Sequence, residues 1–263
     1  METQGPSRDL HPAVEQRIGT GASYLTPRRS RVVISRSHER PVYFTVNNRK
    51  DRIHATHMKG LFYEQSQLPV IRDHFPEGGV FADVGANVGN HSLYMLMFGG
   101  ASKVIPFEMN PDAIDLYLSN IFLNGLQDMV ELDTLGYGLG DRVTDNAAVS
   151  SPHKNLGWAR VDLDGSGDVP VRTGDSLLDG RAVDFIKMDV EGMEIAALRG
   201  LEKTISSCRP VLFIEVDNKN RDAFEALMED WSYEVVQAFG QSRVNQNFLL
   251  KPAEKPLTTR GAH

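Results

Sequence analysis

Two groups of residues in this 263-residue chain have types and spacings suited to chemistry. The first is acidic. Asp189 and Glu191 stand two apart after an apolar run, Glu194 follows one helical turn later, and Glu215 closes the next apolar run. Side chains two apart on an extended segment point the same way, so Asp189 and Glu191 can share a cleft. Their mutual repulsion raises one pKa toward that of a useful base. A carboxylate in that position can take the proton of a hydroxyl as its oxygen attacks. Glu215 is a further base candidate. Glu194 is expected to cap the following helix or to meet Lys187. The same acids offer oxygen ligands of the kind Mg²⁺ uses, but no dense acidic motif demands a metal and none is assigned. No Cys–His cluster suggests zinc.

The second group is the turn Asp83-Val84-Gly85-Ala86-Asn87-Val88-Gly89-Asn90. It follows an apolar run and opens a helical one. Gly85 and Gly89 remove side chains where the backbone must turn sharply and approach a ligand, and Asn87 tolerates positive φ. The helix N-terminus can receive a carboxylate on free N–H groups. The spacing is G-x-x-x-G, whereas a dinucleotide turn reads G-x-G-x-x-G. An acid two residues before the first glycine is badly placed for a pyrophosphate and well placed for an ammonium. The amino-acid end of S-adenosylmethionine carries both an ammonium and a carboxylate. Glu108 ends the next apolar run, where an acid can accept two hydrogen bonds from ribose hydroxyls.

These groups need a scaffold, and the order of elements supplies one. Two β-like runs, 31–35 and 42–46, are separated by Pro41 and read as a hairpin. Helical spacing follows over 57–75, with Pro69 expected to break or kink it. Strands are then expected at Val80–Val84, Lys103–Phe107, Val130–Leu135, Val183–Val190 and Val211–Val216. Helices are expected at Asn90–Phe98, Pro111–Asn124, Met193–Ser206 and Asp222–Asp230. Tyr233–Ala238 and Asn247–Leu250 close the chain as an antiparallel pair at the sheet edge. Strands alternating with helices mean a doubly wound α/β fold around a mostly parallel sheet. In such sheets the ligand lies beyond the carboxyl ends of the strands, where both chemical groups fall. Residues 140–175, rich in Gly, Asp, Ser and Asn, are long for a connector and are expected to do more than link. The organisation expected is a flexible arm (1–27), a hairpin and helix extension (28–76), the ligand-binding domain (77–252) and a tail (253–263).

Composition sets limits. Hydrophobic residues are 41% and charged residues 24%, as in an ordinary globular chain, with a formal net charge of −7. That charge disfavours a dedicated nucleic-acid binder. One region runs the other way: Arg28, Arg29, Arg31, Arg36, Arg40, Arg49, Lys50, Arg52 and Lys59 face only Glu39 and Asp51. It reads as a solvated hairpin face or as a surface for an acidic acceptor or carrier. One cysteine, Cys208, allows no internal disulfide. No apolar leader and no run long enough to span a bilayer are visible, so a cytoplasmic location is expected.

Four segments together resemble the FkbM family of class I methyltransferases: 81–91, with the glycine turn; 104–111, with Glu108; 184–194, which reads Asp-Phe-Ile-Lys-Met-Asp-Val-Glu-Gly-Met-Glu; and 209–215, ending at Glu215. The K-x-D-x-E-G-x-E block is the most family-specific. One departure is Met109, where the family usually has proline after the ribose acid. The resemblance implies a Rossmann-like, seven-stranded sheet with an antiparallel last strand, and S-adenosylmethionine as methyl donor. By position, Asp83, Gly85, Ala86, Asn87, Gly89 and Asn90 would hold the methionine end and Glu108 the ribose. Met109, Asn110, Tyr137 and Gly138 would border the adenine. Glu64, beside Tyr63, fits an aromatic–acid pair that closes the cleft. His153 and Asn155 lie in the polar insert that would fold over the acceptor. His91 is expected to cap or pack rather than react. The reaction implied is O-methylation of a small molecule or glycan precursor, with Asp189, Glu191 and Glu215 as catalytic candidates. Methylation of an amine stays open, because nothing here fixes the nucleophile. The rival class is an NAD-dependent oxidoreductase, opposed by the missing middle glycine and by the lack of a Tyr-x-x-x-Lys pair near the fourth strand.

Overall fold

The structure is a computed structural model. It describes residues 10–11, 14, 27, 29–36, 38–150, 160–162, 166–240 and 242–254. In chain order its elements begin with β1 (Arg31–Ser35), β2 (Val42–Val46), α1 (Arg52–His57), α2 (Leu68–His74), β3 (Val80–Val84), α3 (Asn90–Phe98), β4 (Lys103–Phe107) and α4 (Pro111–Leu123). The insert contributes β5 (Gly138–Leu139), β6 (Thr144–Ser150), β7 (Arg160–Asp162) and β8 (Val169–Arg172). The chain continues with α5 (Gly174–Leu178), β9 (Phe185–Met188), α6 (Glu194–Gly200), α7 (Glu202–Cys208), β10 (Val211–Asp217), α8 (Arg221–Asp230), β11 (Tyr233–Ala238) and β12 (Asn245–Pro252). No helix among the described residues is long and apolar enough to cross a membrane.

The main sheet has the order β4-β3-β9-β10-β12-β11. Its first four strands are parallel. The last strand of the chain, β12, slots between β10 and β11 and runs antiparallel to both. The fold is therefore α/β with a mostly parallel six-stranded sheet. Alternation along the strands sends successive side chains to opposite faces. Phe81, Phe185 and Phe213 enter one hydrophobic cluster; Ala82, Val84, Ile186, Met188, Leu212 and Ile214 enter the other. Asp83, Lys187 and Glu215 share parity with the phenylalanines, so the first face turns from apolar to ionic toward the carboxyl ends.

A seventh strand was expected at Val130–Leu135. It is reduced to a single bridge, Val104↔Val130, followed by a 3₁₀ turn at Leu132–Thr134. The cause lies in β4. Val104 O accepts from Glu131 N at this edge, and Pro106 O accepts the Thr134 hydroxyl. Residues 104 and 106 thus face the same side, and Pro106 has no N–H to extend a ladder there. Two helix expectations change as well. Pro69 does not break a helix; it sits in the first turn of α2, where its missing N–H costs nothing. The single helix expected over Met193–Ser206 is two, α6 and α7. At the joint, a Cβ on Gly200 would lie 2.1 Å from Gly140 O, so backbone packs directly on backbone.

The hairpin is fastened to the sheet's helices by amides. Val42, Phe44 and Val46 are buried in the same cluster as Phe81 and Phe185. Asn120, fully buried on α4, accepts from Thr45 N at 2.6 Å and donates to Val88 O at 2.7 Å. It ties β2 to the glycine turn. Asn124 accepts from Tyr43 N and donates back to Tyr43 O. Asn120→Ala should leave a buried N–H and a buried carbonyl without partners, at about 1–3 kcal/mol each. Urea unfolding should therefore show a loss of about 2–4 kcal/mol; a midpoint equal to that of the parent would show that the bridge contributes nothing.

Candidate active site

The site lies at the carboxyl ends of β3, β4, β9 and β10, and its centre is a backbone contact. β3 pairs with β9 so that Asp83 faces Lys187 and Val84 faces Met188. The next residues, Gly85 and Asp189, then abut. A Cβ on Gly85 would stand 1.9 Å from Asp189 O, so no other residue fits. Gly85 also has φ +77°, Asn87 +49° and Gly89 +85°, a left-handed run that opens helix α3. Phe107 O accepts from both Gly85 N and Ala86 N. The turn is thus held to β4 as well as to β9.

Glu108 occupies the end of β4. It accepts from Asn87 N at 2.8 Å through Oε2, and from Met109 N and Asn110 N at 2.9 and 2.8 Å through Oε1. Burial raises its pKa despite these donors. Oε1 is filled by its two donors, and Oε2 keeps lone-pair capacity for one more. Met109 Sδ lies 3.2 Å from where a Gly138 Cβ would stand, so these two residues are brought together. Tyr137 is placed between Arg172, 5.3 Å above its ring, and His11, edge-on at 4.8 Å. Asn110 caps α4 through its side chain.

Asp83 is fully buried, and its Oδ2 accepts from Ser92 N and Ser92 Oγ at 3.0 and 2.6 Å. Only its Oδ1, which accepts no hydrogen bond, is open to another donor. The Asn90 amide is committed elsewhere: it accepts from Tyr63 N, contacts His57 Nε2 and donates to Tyr63 O. It pins the Tyr63–Glu64 loop over the turn. That loop carries strain at Glu64, with φ +56°, and it delivers Glu64 Oε2 to 3.2 Å from His91 Nε2. Burial pushes the Glu64 pKa up, but His91 and Lys187 outweigh it and the pKa is lowered.

Asp189, Glu191 and Glu215 converge as expected, each offering an oxygen within 4.8 Å of the others. Carboxylates this close can share a proton or a divalent cation. Beneath them lies Lys187, almost wholly buried, whose Nζ is 3.4 Å from Gly85 O and 3.9 Å from both Asp83 and Asp189. Burial opposes its charge, yet Asp189, Asp83, Glu64 and Glu215 together raise its pKa. Burial raises Asp189 while Lys187 opposes the rise. Burial, with Asp189 and Glu191, pushes Glu215 up to about 8. Asn245, on β12, donates to Glu215 Oε1.

The sequence had not singled out Lys187, Asn245 or the Glu64–His91 pair as a unit. Glu194 was expected to cap its helix or to meet Lys187; its hydrogen-bond partners are neither. Glu194 accepts from Asp217 N and Asn220 Nδ2, fixing the end of β10. Strand parity was the available signal: residue 187 shares its face with Asp83 and Asp189. His153 and Asn155 lie outside the described residues.

Glu215 links this site to stability. Its folded pKa, about 8, exceeds that of an unfolded glutamate. The folded state therefore holds the proton more tightly, and the stability so contributed is present in acid and lost as pH rises through 8. Glu215→Gln should flatten that fall. Melting temperatures of parent and variant should diverge in the variant's favour between about pH 5 and pH 9; parallel curves would place Glu215 in an ordinary titration range.

Comparison with known proteins matches the segment of chain that carries these residues. Residues 83–238, more than half of the chain, match the model of the methyltransferase FkbM domain. Hexuronic acid methyltransferase AglP of Haloferax volcanii is 27% identical over 172 residues, covering 64% of this chain and 68% of its own. Among solved structures, methyltransferase FkbM from Methylobacillus flagellatus KT is 21% identical with a TM-score of 0.47, over 66% of this chain and 43% of that one. The B. subtilis M1A22 tRNA methyltransferase TrmK is 13% identical with a TM-score of 0.47, over 73% and 68%. The turn, the ribose-type acid and the K-x-D-x-E-G-x-E block all fall inside the matched span, and the chain belongs to the FkbM methyltransferase family.

Proposed function

We propose that this chain transfers a methyl group from S-adenosylmethionine to a hydroxyl of a glycan or small-molecule acceptor, with a carboxylate of the cleft as base. The supporting observation is the contact of Gly85 with Asp189: the turn read as the donor site and the acid read as the base are neighbours in one register. A hexuronate-bearing sugar is the acceptor class favoured by the AglP relative, which is named for a hexuronic acid. The chain's net charge of −7 and the three acids at the cleft favour a sugar over a nucleic acid.

The donor's sulfonium supplies an already activated methyl carbon, so the protein's work is alignment and proton removal. In this reading the Gly85–Gly89 turn approaches the methionine end, and Glu108 accepts from the ribose hydroxyls. Met109, Asn110, Tyr137 and Gly138 border the base. Glu64, held by His91, closes the site from the hairpin side; His153 and Asn155, proposed for the acceptor, lie outside the described residues. Lys187 holds Asp189 against the turn and favours its ionised form, so that Asp189 can receive the hydroxyl proton. Glu191 and Glu215 hold a second proton between them and orient the acceptor's hydroxyls.

Two variants separate these roles. Glu108→Ala should weaken S-adenosylmethionine binding about tenfold or more through loss of charge-assisted hydrogen bonds; unchanged calorimetric affinity would remove Glu108 from the donor site. Asp189→Asn should bind the donor within a few-fold of the parent yet lose about 100-fold or more in turnover. Turnover is read as labelled methyl recovered on methyl glucuronide as probe acceptor. A parent that binds the donor but labels no hexuronate or neutral glycoside would overturn the acceptor class, and one that binds no donor would overturn the whole reading.

A further inference from the structure

The extension that delivers Glu64 is strongly basic on its outer side. Eight Lys and Arg side chains between residues 29 and 59 are exposed, against one exposed acid, Glu39. Asp51, the other acid there, is buried and spent on capping α1 through Ile53 N and His54 N. The whole chain carries −7, so this is a local reversal of sign. Methyl transfer as read above uses none of these cations.

The same surface exposes aliphatic side chains. Val32 is 41% and Ile34 52% exposed. They stand two apart on β1 and share a face. The opposite face, with Val33 and Ser35, turns inward, where Ser35 Oγ donates to Gly60 O. Among the described strands β1 pairs only with β2. Arg31 and Arg36 bracket this aliphatic pair.

Guanidinium groups around exposed branched aliphatics fit the boundary between headgroups and acyl chains of an anionic bilayer. The cations neutralise headgroup charge while the aliphatic tips leave water. Single-stranded nucleic acid fits less well, because it needs exposed aromatic platforms for stacking. The exposed large apolar residues of the hairpin are Val32 and Ile34. The neighbouring Phe98 ring is already covered by Arg40, whose guanidinium lies 5.7 Å from the ring centre and donates to Met97 O.

We propose that the β1–β2 hairpin docks this methyltransferase on an anionic membrane surface, with Arg31, Arg36 and Arg40 at the headgroups and Val32 and Ile34 in the boundary layer. The occupant is the lipid surface itself, whatever the acceptor.

Co-sedimentation of the full chain with large unilamellar vesicles tests this. Vesicles with about one-third phosphatidylserine in phosphatidylcholine should pellet the protein at about 0.1 M salt, and pure phosphatidylcholine should not. Reversing two cations, as R31E/R36E, should lower the partition coefficient at least about 25-fold, since each cation near such a surface is worth about fivefold. V32S/I34S should lower it several-fold while keeping the dependence on anionic lipid. K203E/K251E, outside the hairpin, should partition like the parent. All are surface changes, and near-ultraviolet circular dichroism confirms the fold. The proposal is overturned by no pelleting with anionic vesicles, by R31E/R36E partitioning like the parent, or by equal binding to neutral vesicles. Displacement from the vesicles by single-stranded RNA at lower concentration than by soluble phosphoserine would overturn it in favour of a nucleic-acid surface.

Discussion

One buried ammonium organises this cleft. Lys187 sits under Asp83, Asp189 and the carbonyl of Gly85, and the fields of Glu64 and Glu215 reach it as well. Removing one partner from a buried charge set leaves the rest uncompensated, at a cost of several kcal/mol. The acids therefore cannot be understood one by one. Asp83 is held by Ser92 on one oxygen and faces Lys187 with the other. Asp189 is held by its backbone against Gly85 and by its side chain over Lys187. The glycine turn, whose N–H groups are fixed by Phe107 and Glu108, shares this cation through its carbonyl. The glycine turn and Asp189, proposed as donor site and base, are two ends of one ionic arrangement.

The hairpin extension belongs to the same arrangement. Asn120 links β2 to Val88 in the turn, and Asn90 links the first residue of α3 to Tyr63 and His57. His57 is stacked on Phe44, 4.3 Å between ring centres, and burial lowers its pKa to about 4. It is therefore neutral near pH 7, and its contact with Asn90 adds no charge to a region already rich in acids. The strained backbone at Glu64 is tolerated because these amides and the His91 contact over-determine it. A segment that looks like an appendage by sequence order brings Glu64 to His91 and into the field of Lys187.

Much of this was legible from residue order. The strands and helices that flank the glycine turn follow from apolar runs, and Asp83, Glu108 and Asp189 fall at strand ends by counting. What was not legible depends on geometry between strands. Val130–Leu135 has strand composition, but the missing N–H of Pro106 on the neighbouring strand forbids its ladder. Pro69 looks like a breaker until the helix is seen to begin one residue earlier. Asn90 looks like part of the ligand turn, yet its amide is consumed by Tyr63, fewer than thirty residues before it. Glu194 looks like a helix cap or a partner for Lys187, yet it accepts from Asp217 N and Asn220 Nδ2 and fixes the end of β10. In each case a local pattern was correct about type and silent about partner.

The charge count explains why a proton matters here. Around one lysine the structure gathers Asp83, Glu64, Asp189 and Glu215, with Glu191 close by. One ammonium cannot balance that many carboxylates, and low local polarity makes the excess expensive. The excess is relieved at Glu215, where burial and repulsion from Asp189 and Glu191 push the pKa up to about 8. Near neutral pH Glu215 thus carries a proton, while at Asp189 the neighbouring Lys187 opposes the rise that burial imposes. Under the proposed function, a hydroxyl acceptor placed among these groups would meet both a proton donor and a proton acceptor. The same ionic packing that constrains the turn therefore also sets the protonation of the acids beside it.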